Sequence, residues 1–268
     1  MNLFNAAREC LDAADPAEKV ALTRNAAADF LAGKFTIAKT EVGPDPIRPP
    51  GRPEKPTLVS PRDLKKRGLG SNEGRAAFLH AIAHIEFNAI NLAWDAAYRF
   101  RDMPGEFYRD WVGVADDEAR HFSLLSQRLS ELGAAYGDFP AHNGLWEMAE
   151  KTAHSCLARM ALVPRVLEAR GLDVTPAMIV KLRNIGDSES AGILELILRE
   201  EIAHVAAGSR WFVWCCRRDG VVPQATFAAL IDGVAKGSIR GPFNRDARLA
   251  AGFDEAEMRM IEGLGSLP

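Results

Sequence analysis

The chain has 268 residues, of which 47% are hydrophobic and 26% are charged, so it is neither a disulfide-rich mini-protein nor a disordered tail. Its 33 Lys and Arg residues nearly balance 36 Asp and Glu residues, and the net charge of −3 excludes the strongly basic surface of a dedicated nucleic-acid-binding protein. No stretch approaches the roughly 20 apolar residues of a membrane span, and the first segment carries acids where a signal peptide is apolar. We therefore predict a cytoplasmic protein that does not bind membranes.

The composition favours helices, and no alternating strand pattern is evident, so we predict an all-α protein. Residues 1–33 are predicted to form two short amphipathic helices, the second beginning at Asp15-Pro16, a capping residue followed by a proline suited to a first helical turn. Residues 41–62 contain seven prolines, which exclude a helix and predict an extended segment. That segment is either a linker or a strap across the helices.

Four long helical patterns follow, at residues 73–100, 105–133, 142–170 and 187–216. Four such helices are typical of a four-helix bundle. We predict one domain over residues 1–268, with an N-terminal extension at 1–70, the bundle at 73–216 and a helical tail at 217–268. In the tail, one helix is predicted after Pro223 and a last one from about Asp254.

Each of the four long helices places one carboxylate on the apolar stripe that must face the bundle interior. These acids are Glu86, Glu118, Glu168 and Glu201. A buried carboxylate is costly in free energy, so four in one core need protons or nearby cations. The stripes supply few basic residues, the nearest being Arg165. Two divalent ions would neutralise this charge, which predicts a dinuclear metal centre.

The pattern Glu-x-x-His occurs twice, at residues 118–121 and 201–204. Side chains at i and i+3 share one helix face and can both reach a metal ion. A single copy is more often a solvent-exposed pair. Here each copy follows a core-facing acid at a similar distance, 32 residues after Glu86 and 33 residues after Glu168. This repeated spacing favours the metal interpretation.

Residues 117–121 read Asp-Glu-Ala-Arg-His after Glu86, and residues 200–204 read Glu-Glu-Ile-Ala-His. The first half resembles the motif of the ferritin-like di-iron carboxylate superfamily, notably its oxygen-activating oxidoreductases: Glu, about thirty residues, then Asp-Glu-x-Arg-His. The second half departs from it by Glu for Asp and by Ile-Ala before the His. The chain, including HAIAHIEFNAINLAW and REEIAHVAAGSRWF, also looks like a bacterial ferritin-like family known as a domain of unknown function, similar in its bundle to tRNA-modifying di-iron hydroxylases.

The resemblance implies a ferritin-like four-helix bundle and a ligand set of four acids and two histidines. The implied ligands are Glu86, Glu118, His121, Glu168, Glu201 and His204. By the same resemblance Glu118 and Glu201 would bridge the two ions and act in catalysis, and Asp117, Arg120 and Glu200 would orient the imidazoles. Oxygen and nitrogen ligands suit Fe or Mn, so two iron ions are predicted, with Mn, a mixed Fe/Mn pair or Zn as alternatives.

The predicted function is an oxidoreductase whose reduced di-iron site activates O2 and oxidises or hydroxylates an organic substrate, with electrons from a donor. The near-neutral charge favours a small-molecule substrate over tRNA. The N-terminal extension is expected to form a lid or the surface of a homodimer. One alternative is metal handling or peroxide protection as in ferritin or rubrerythrin, although the four cysteines lack the CxxC spacing of a rubredoxin module. Another is a metal pair that serves stability alone.

Two further features do not belong to the ligand set. His80 and His84 lie on another helix face, so they are predicted to hydrogen-bond to the proline-rich strap or to the C-terminal tail, with a separate zinc site as the alternative. Pro164 removes a backbone hydrogen bond just before Glu168. It is predicted to kink or loosen that turn, which either fits the local packing or opens substrate access.

Overall fold

A computed structural model describes residues 1–37, 43–65, 67–235, 237 and 239–265. Within these ranges the regular structure is helical, and strand pairing is limited to two isolated bridges. The all-α prediction is therefore confirmed. The chain forms two compact units, Met1–Glu150 and Lys151–Pro268. The single domain with boundaries near residues 70 and 216 stays a prediction.

The first unit is built from four helices, a short turn and a fifth helix that reaches the boundary. These are α1 (Leu3–Asp12), α2 (Pro16–Leu31), a 3-10 turn (Pro61–Asp63), α3 (Asn72–Arg99), α4 (Gly105–Glu131) and α5 (Gly144–Lys151). The side chain of Asp15 accepts the Glu18 N–H at 2.9 Å and so caps α2 as predicted. Helix α3 packs against α4 and α1, and α2 packs against α4. The paired α3 and α4 form the scaffold of the first group of candidate ligands.

The proline-rich segment at 41–62 is a strap, of which the first two residues lie outside the described ranges. Leu58 forms a parallel bridge with Ala141, in the loop after α4. At the other end, the N–H of Gly51 donates to the carbonyl oxygen of Leu11 at 2.7 Å. Of the two predicted alternatives, the strap is confirmed for this unit.

The second unit contains helices of very different length. They are α6 (Cys156–Leu162), a π-helical segment (Val163–Glu168), α7 (Ala169–Asn184), α8 (Ser188–Asp219), α9 (Pro223–Leu230), a second π-helical segment (Ile231–Ala235), α10 (Arg245–Ala250) and α11 (Glu255–Gly265). Helices α6 and α7 and the first π-helical segment pack on α8. Helix α8 is followed directly by Gly220, whose φ of +68° is the left-handed conformation that glycine adopts without strain.

The predicted single helix over residues 142–170 is wrong. Helix α5 ends at Lys151, and a new helix begins at Cys156, where the side chain of Ser155 accepts the Ala158 N–H at 3.2 Å. The helical path then continues through the π-helical segment and α7 as far as Asn184. A capping serine within a helical pattern can mark the start of a new helix. Here the chain begins a new helix after Ser155, although the apolar periodicity continues across that residue.

Pro164 explains the π-helical segment. It lacks the N–H that a regular helix would use, so the helix widens here rather than continuing as a uniform α-helix. Its ring packs on α8 at Gly208, where an added Cβ would lie 2.3 Å from Pro164 Cγ. The predicted loosening of this turn is confirmed, and the contact supports the packing alternative.

The remaining helix predictions agree with the structure to within a few residues. Helices α3, α4 and α8 match the patterns at 73–100, 105–133 and 187–216, and α9 and α11 match the tail prediction. Helix α10 was not predicted, because six residues are too few to show a periodicity. Among the described helices, none is both long and apolar enough to cross a membrane.

Candidate metal centre

Three predicted ligands meet in the interior of the first unit. Glu86 comes from α3, and Glu118 and His121 come from α4. Their ligand atoms lie within 4.8 Å of one another. His121 Nδ1 lies 3.2 Å from Glu86 Oε2 and 3.3 Å from Glu118 Oε2. The side chains are buried, so the sequence placed all three correctly on the inner faces of their helices.

The environment changes the proton affinity of this group. Burial and the nearby charge of Glu118 raise the pKa of Glu86 to about 8. Burial alone would lower the pKa of His121, but hydrogen bonds to Glu118 and Glu86 outweigh it and raise that pKa to about 11. In the metal-free protein both raised pKa values favour the protonated forms of Glu86 and His121 at neutral pH. A divalent ion can replace these protons, because metal ligands must be deprotonated to bind.

The second Glu-x-x-His copy lies on α8 in the second unit. His204 Nδ1 lies 3.2 Å from Glu201 Oε1. His204 is buried, and the Glu201 side chain is 12% exposed. The same ring nitrogen therefore faces the acid three residues earlier in both copies, at nearly the same distance.

Glu168 is the last residue of the π-helical segment and is half-buried, with its Oε2 atom shielded from solvent. Arg165, three residues before Glu168, lies 2.7 Å from Glu257 Oε2 through its Nη2 atom. The charge of Arg165 is therefore already balanced within the second unit. Sequence reasoning missed Glu257, since 92 residues separate the two partners and no local pattern connects them.

The three residues predicted to orient the imidazoles are all half-buried. Arg120 Nη2 lies 2.8 Å from Asp117 Oδ1 on the same helix, so these two form an i,i+3 ion pair on α4. Glu200 precedes Glu201 on α8. The role of all three toward His121 and His204 stays a prediction.

His80 and His84 bind the loop after α4, not the strap or the tail as predicted. His84 Nδ1 lies 2.9 Å from the Tyr136 hydroxyl, and its Nε2 lies 3.2 Å from the carbonyl oxygen of His142. His80 Nε2 accepts the Gly137 N–H at 2.9 Å. Because three of the four ring nitrogens have hydrogen-bond partners in this loop, the alternative of a separate zinc site gains no support.

The donor chemistry of these groups fits a first-row divalent metal. Carboxylate oxygens and imidazole nitrogens suit iron or manganese, and the buried thiols of the chain are not among the grouped side chains. In the first unit, two buried acids and one imidazole converge, with ligand atoms within 4.8 Å of one another. A buried Glu and His group that can hold a metal ion is therefore present.

Comparison with known proteins places the chain among relatives without assigned activity. A family model described as "Protein of unknown function (DUF455)" matches residues 12–259. An "Uncharacterized protein" of Haemophilus influenzae is 46% identical over 262 residues, which cover 94% of this chain and 90% of that protein. No solved structure matches the chain.

Proposed function

The chain belongs to the DUF455 family, and we propose that it is a dinuclear metal oxidoreductase of the ferritin-like kind, in which two iron ions activate O2 to oxidise an organic substrate. The proposed ligands are Glu86, Glu118, His121, Glu168, Glu201 and His204. The observation that carries the proposal is the buried contact of Glu86, Glu118 and His121. Two buried acids facing one imidazole are costly in a protein without a metal, and a cation removes that cost.

The second half of the proposed centre rests on the repeat in sequence. Glu201 and His204 reproduce the local geometry of Glu118 and His121, with Nδ1 of the histidine facing the acid. Glu168 precedes Glu201 by nearly the distance that separates Glu86 from Glu118. We infer from this duplication that each half supplies ligands for one ion.

The reaction we propose is insertion of one oxygen atom into a substrate C–H bond. The other oxygen atom leaves as water, with two electrons and two protons taken from an external donor. When bound, the reduced iron pair would supply O2 binding and the electron transfer to it. The chain would hold the ions and exclude water, since apolar side chains such as Ala115, Phe122 and Leu125 are buried along the ligand face of α4.

Oxygen consumption tests this proposal. The protein is purified without O2, loaded with Fe(II), and mixed with oxygenated buffer and a panel of small organic molecules with a chemical reductant. We expect oxygen uptake with a transient change in the optical spectrum, and uptake that one class of organic molecule accelerates. Glu118→Gln should abolish both signals, and Glu195→Gln, which changes a partly exposed acid of α8 paired with Arg183, should retain them.

Two results would contradict the proposal. If the wild-type protein and Glu118→Gln give the same oxygen uptake, the buried acids are not part of an oxidising centre. If iron is oxidised in amounts far above the number of chains, without any dependence on an organic substrate, and the protein assembles as a hollow shell, the metal-handling alternative is correct.

A further inference from the structure

The C-terminal tail contacts the segment that carries Glu168 through two buried ion pairs. The first joins Arg165 of the π-helical segment to Glu257 of α11, with Nη2 and Oε2 2.7 Å apart and both side chains nearly inaccessible to solvent. Arg165 Nε also donates to Ser209 Oγ on α8 at 3.2 Å. Glu257 is itself fixed, because its Oε2 accepts the Asp254 N–H at 3.0 Å.

Aromatic rings enclose the guanidinium of this first pair. The Arg165 carbon Cζ lies 4.8, 4.2 and 4.5 Å from the ring centres of Phe212, Phe227 and Phe253. These rings come from α8, α9 and the chain before α11. A planar cation stacked on three rings and paired with one acid has little freedom to rotate. The position of Arg165 is therefore fixed from several sides.

The second pair lies on the other side of Glu168. Arg248 of α10 binds Asp173 of α7 with both ends of its guanidinium, Nε to Oδ1 at 2.8 Å and Nη2 to Oδ2 at 2.7 Å. The Asn244 backbone N–H adds a third hydrogen bond to Asp173 Oδ1 at 2.9 Å. Arg248 and Asp173 are both buried. Such a bidentate contact fixes both orientation and distance.

The two ion pairs have opposite arrangements of charge. At Arg165 the tail supplies the acid, and at Asp173 the tail supplies the base. Glu168 lies between them, three residues after the first contact and five residues before the second. Because the charges alternate, a shift of the tail that exchanged the two contacts would place like charges together, which disfavours other registers.

The segment between these contacts needs outside support. A π-helical turn is an uncommon and less stable backbone form, and Pro164 removes one of its hydrogen bonds. A buried ion pair is weak evidence for stability, since apolar side chains of similar size often serve as well. Two pairs, one on each side of Glu168, point to a requirement for position.

We propose that the C-terminal tail is a clamp that positions Glu168 for metal binding, with Arg165, Glu257, Asp173 and Arg248 as positioning residues. The proposal rests on the dinuclear metal site proposed above. The tail would fix the π-helical segment, and with it the position of the Glu168 carboxylate. The metal ion that Glu168 binds would then be held more tightly.

Metal titration of the whole protein tests the clamp. Mn(II) is added to metal-free wild type and to Glu257→Gln, and the free ion is measured by electron paramagnetic resonance. We expect two binding steps in the wild type. In Glu257→Gln one step should weaken about 10- to 100-fold, the usual effect of removing a residue that supports a ligand, while the other step is unchanged. Amide hydrogen exchange over residues 163–168 should also become faster.

Two further variants separate positioning from general stability. Glu262→Gln breaks an ion pair with Arg245 that joins α10 to α11 inside the tail, so this variant should bind Mn(II) as the wild type does. The double variant Arg165→Met with Glu257→Met removes both charges. It should recover thermal stability relative to Glu257→Gln but keep the weak metal step, because the directed contact is still missing.

The outcomes distinguish the two proposals. If the wild type binds no Mn(II) and no Fe(II), the proposed metal site is wrong, and the proposed clamp is wrong as well. If the wild type binds two ions and Glu257→Gln binds them equally well, only the clamp is wrong. If both steps weaken together and recover in the double variant, the pair serves stability alone and the clamp is again rejected.

Discussion

Nδ1 of His204 lies 3.2 Å from Oε1 of Glu201, and the first Glu-x-x-His copy repeats this contact at 3.3 Å between His121 and Glu118. An i,i+3 pair on a helix can adopt several rotamers, so the agreement is not a consequence of spacing alone. In each copy the acid and the imidazole nitrogen lie close enough to bind one ion together. This geometry supports a metal role for each pair.

Burial of Glu86 should make the metal-free protein less stable than a variant with an apolar side chain at that position. Replacing Glu86 by Met, a flexible apolar side chain of similar length, removes the cost of burying an acid and leaves the contact between His121 and Glu118 in place. We expect Glu86→Met to raise the free energy of unfolding of the chelator-treated protein at pH 7 by about 1–2 kcal/mol. Urea unfolding followed by circular dichroism measures this change.

The control for that experiment is Glu131→Met at the exposed end of α4, which should change the unfolding free energy by less than about 0.5 kcal/mol. A loss of stability in Glu86→Met would show that the acid supports the fold in the metal-free state, contrary to our interpretation of the buried group.

Gly208 and Gly192 lie on the same helix and allow a matched test of the packing at the π-helical segment. A Cβ at Gly208 would overlap the ring of Pro164 at 2.3–2.4 Å, whereas a Cβ at Gly192 meets nothing within 4 Å. Gly208→Ala should therefore destabilise the protein by about 1–3 kcal/mol. Gly192→Ala should be neutral or stabilising by up to about 1 kcal/mol, since alanine favours helices. Thermal unfolding measures both, and equal effects would contradict the close contact.

Local sequence signals were sufficient for the long helices and for half of the candidate site. Helices α3, α4 and α8 carry sustained apolar stripes, and Glu86, Glu118 and His121 lie on those stripes, so their burial could be predicted. The same reasoning failed between residues 142 and 184. There the stripe continues across Ser155 and Pro164, and the chain breaks and widens the helix for reasons of capping and packing.

Contacts between distant residues could not be predicted at all. Glu257 and Arg248 look like ordinary charges of a helical tail, yet they are buried against Arg165 and Asp173. The helix face of His80 and His84 keeps them out of the predicted ligand set, but it does not identify their partners in the loop after α4. A helix face can be derived from spacing, whereas the identity of its partner depends on how the whole chain folds.

His80 should make the protein sensitive to acid. It is buried, and burial lowers its pKa to about 4, against about 6.5 for a free histidine. Between these values the unfolded chain takes up a proton that the folded chain does not, so the stabilising contribution is complete above pH 6.5 and is lost as the pH falls toward 4. The neutral ring is also the form that accepts the Gly137 N–H.

The variant His80→Gln keeps an acceptor but cannot titrate. Between pH 7 and pH 4.5 its unfolding free energy should fall less than that of the wild type, by about 1–2 kcal/mol. Urea unfolding across this range gives the difference. His154→Gln, which changes an exposed histidine, should follow the wild type. If His80→Gln also follows the wild type, the burial of His80 does not penalise its charged form.

The central claim is that buried acids and histidines of this chain hold two metal ions, and direct metal analysis tests it most simply. The protein is purified without O2 after growth with added iron, and metals are counted per chain by mass spectrometry. We expect about two ions in the wild type and in Glu195→Gln, and well below one in Glu118→Gln and in Glu201→Gln, because each removes a proposed bridging ligand. A wild-type protein without bound metal, or equal metal content in all four proteins, would contradict the account.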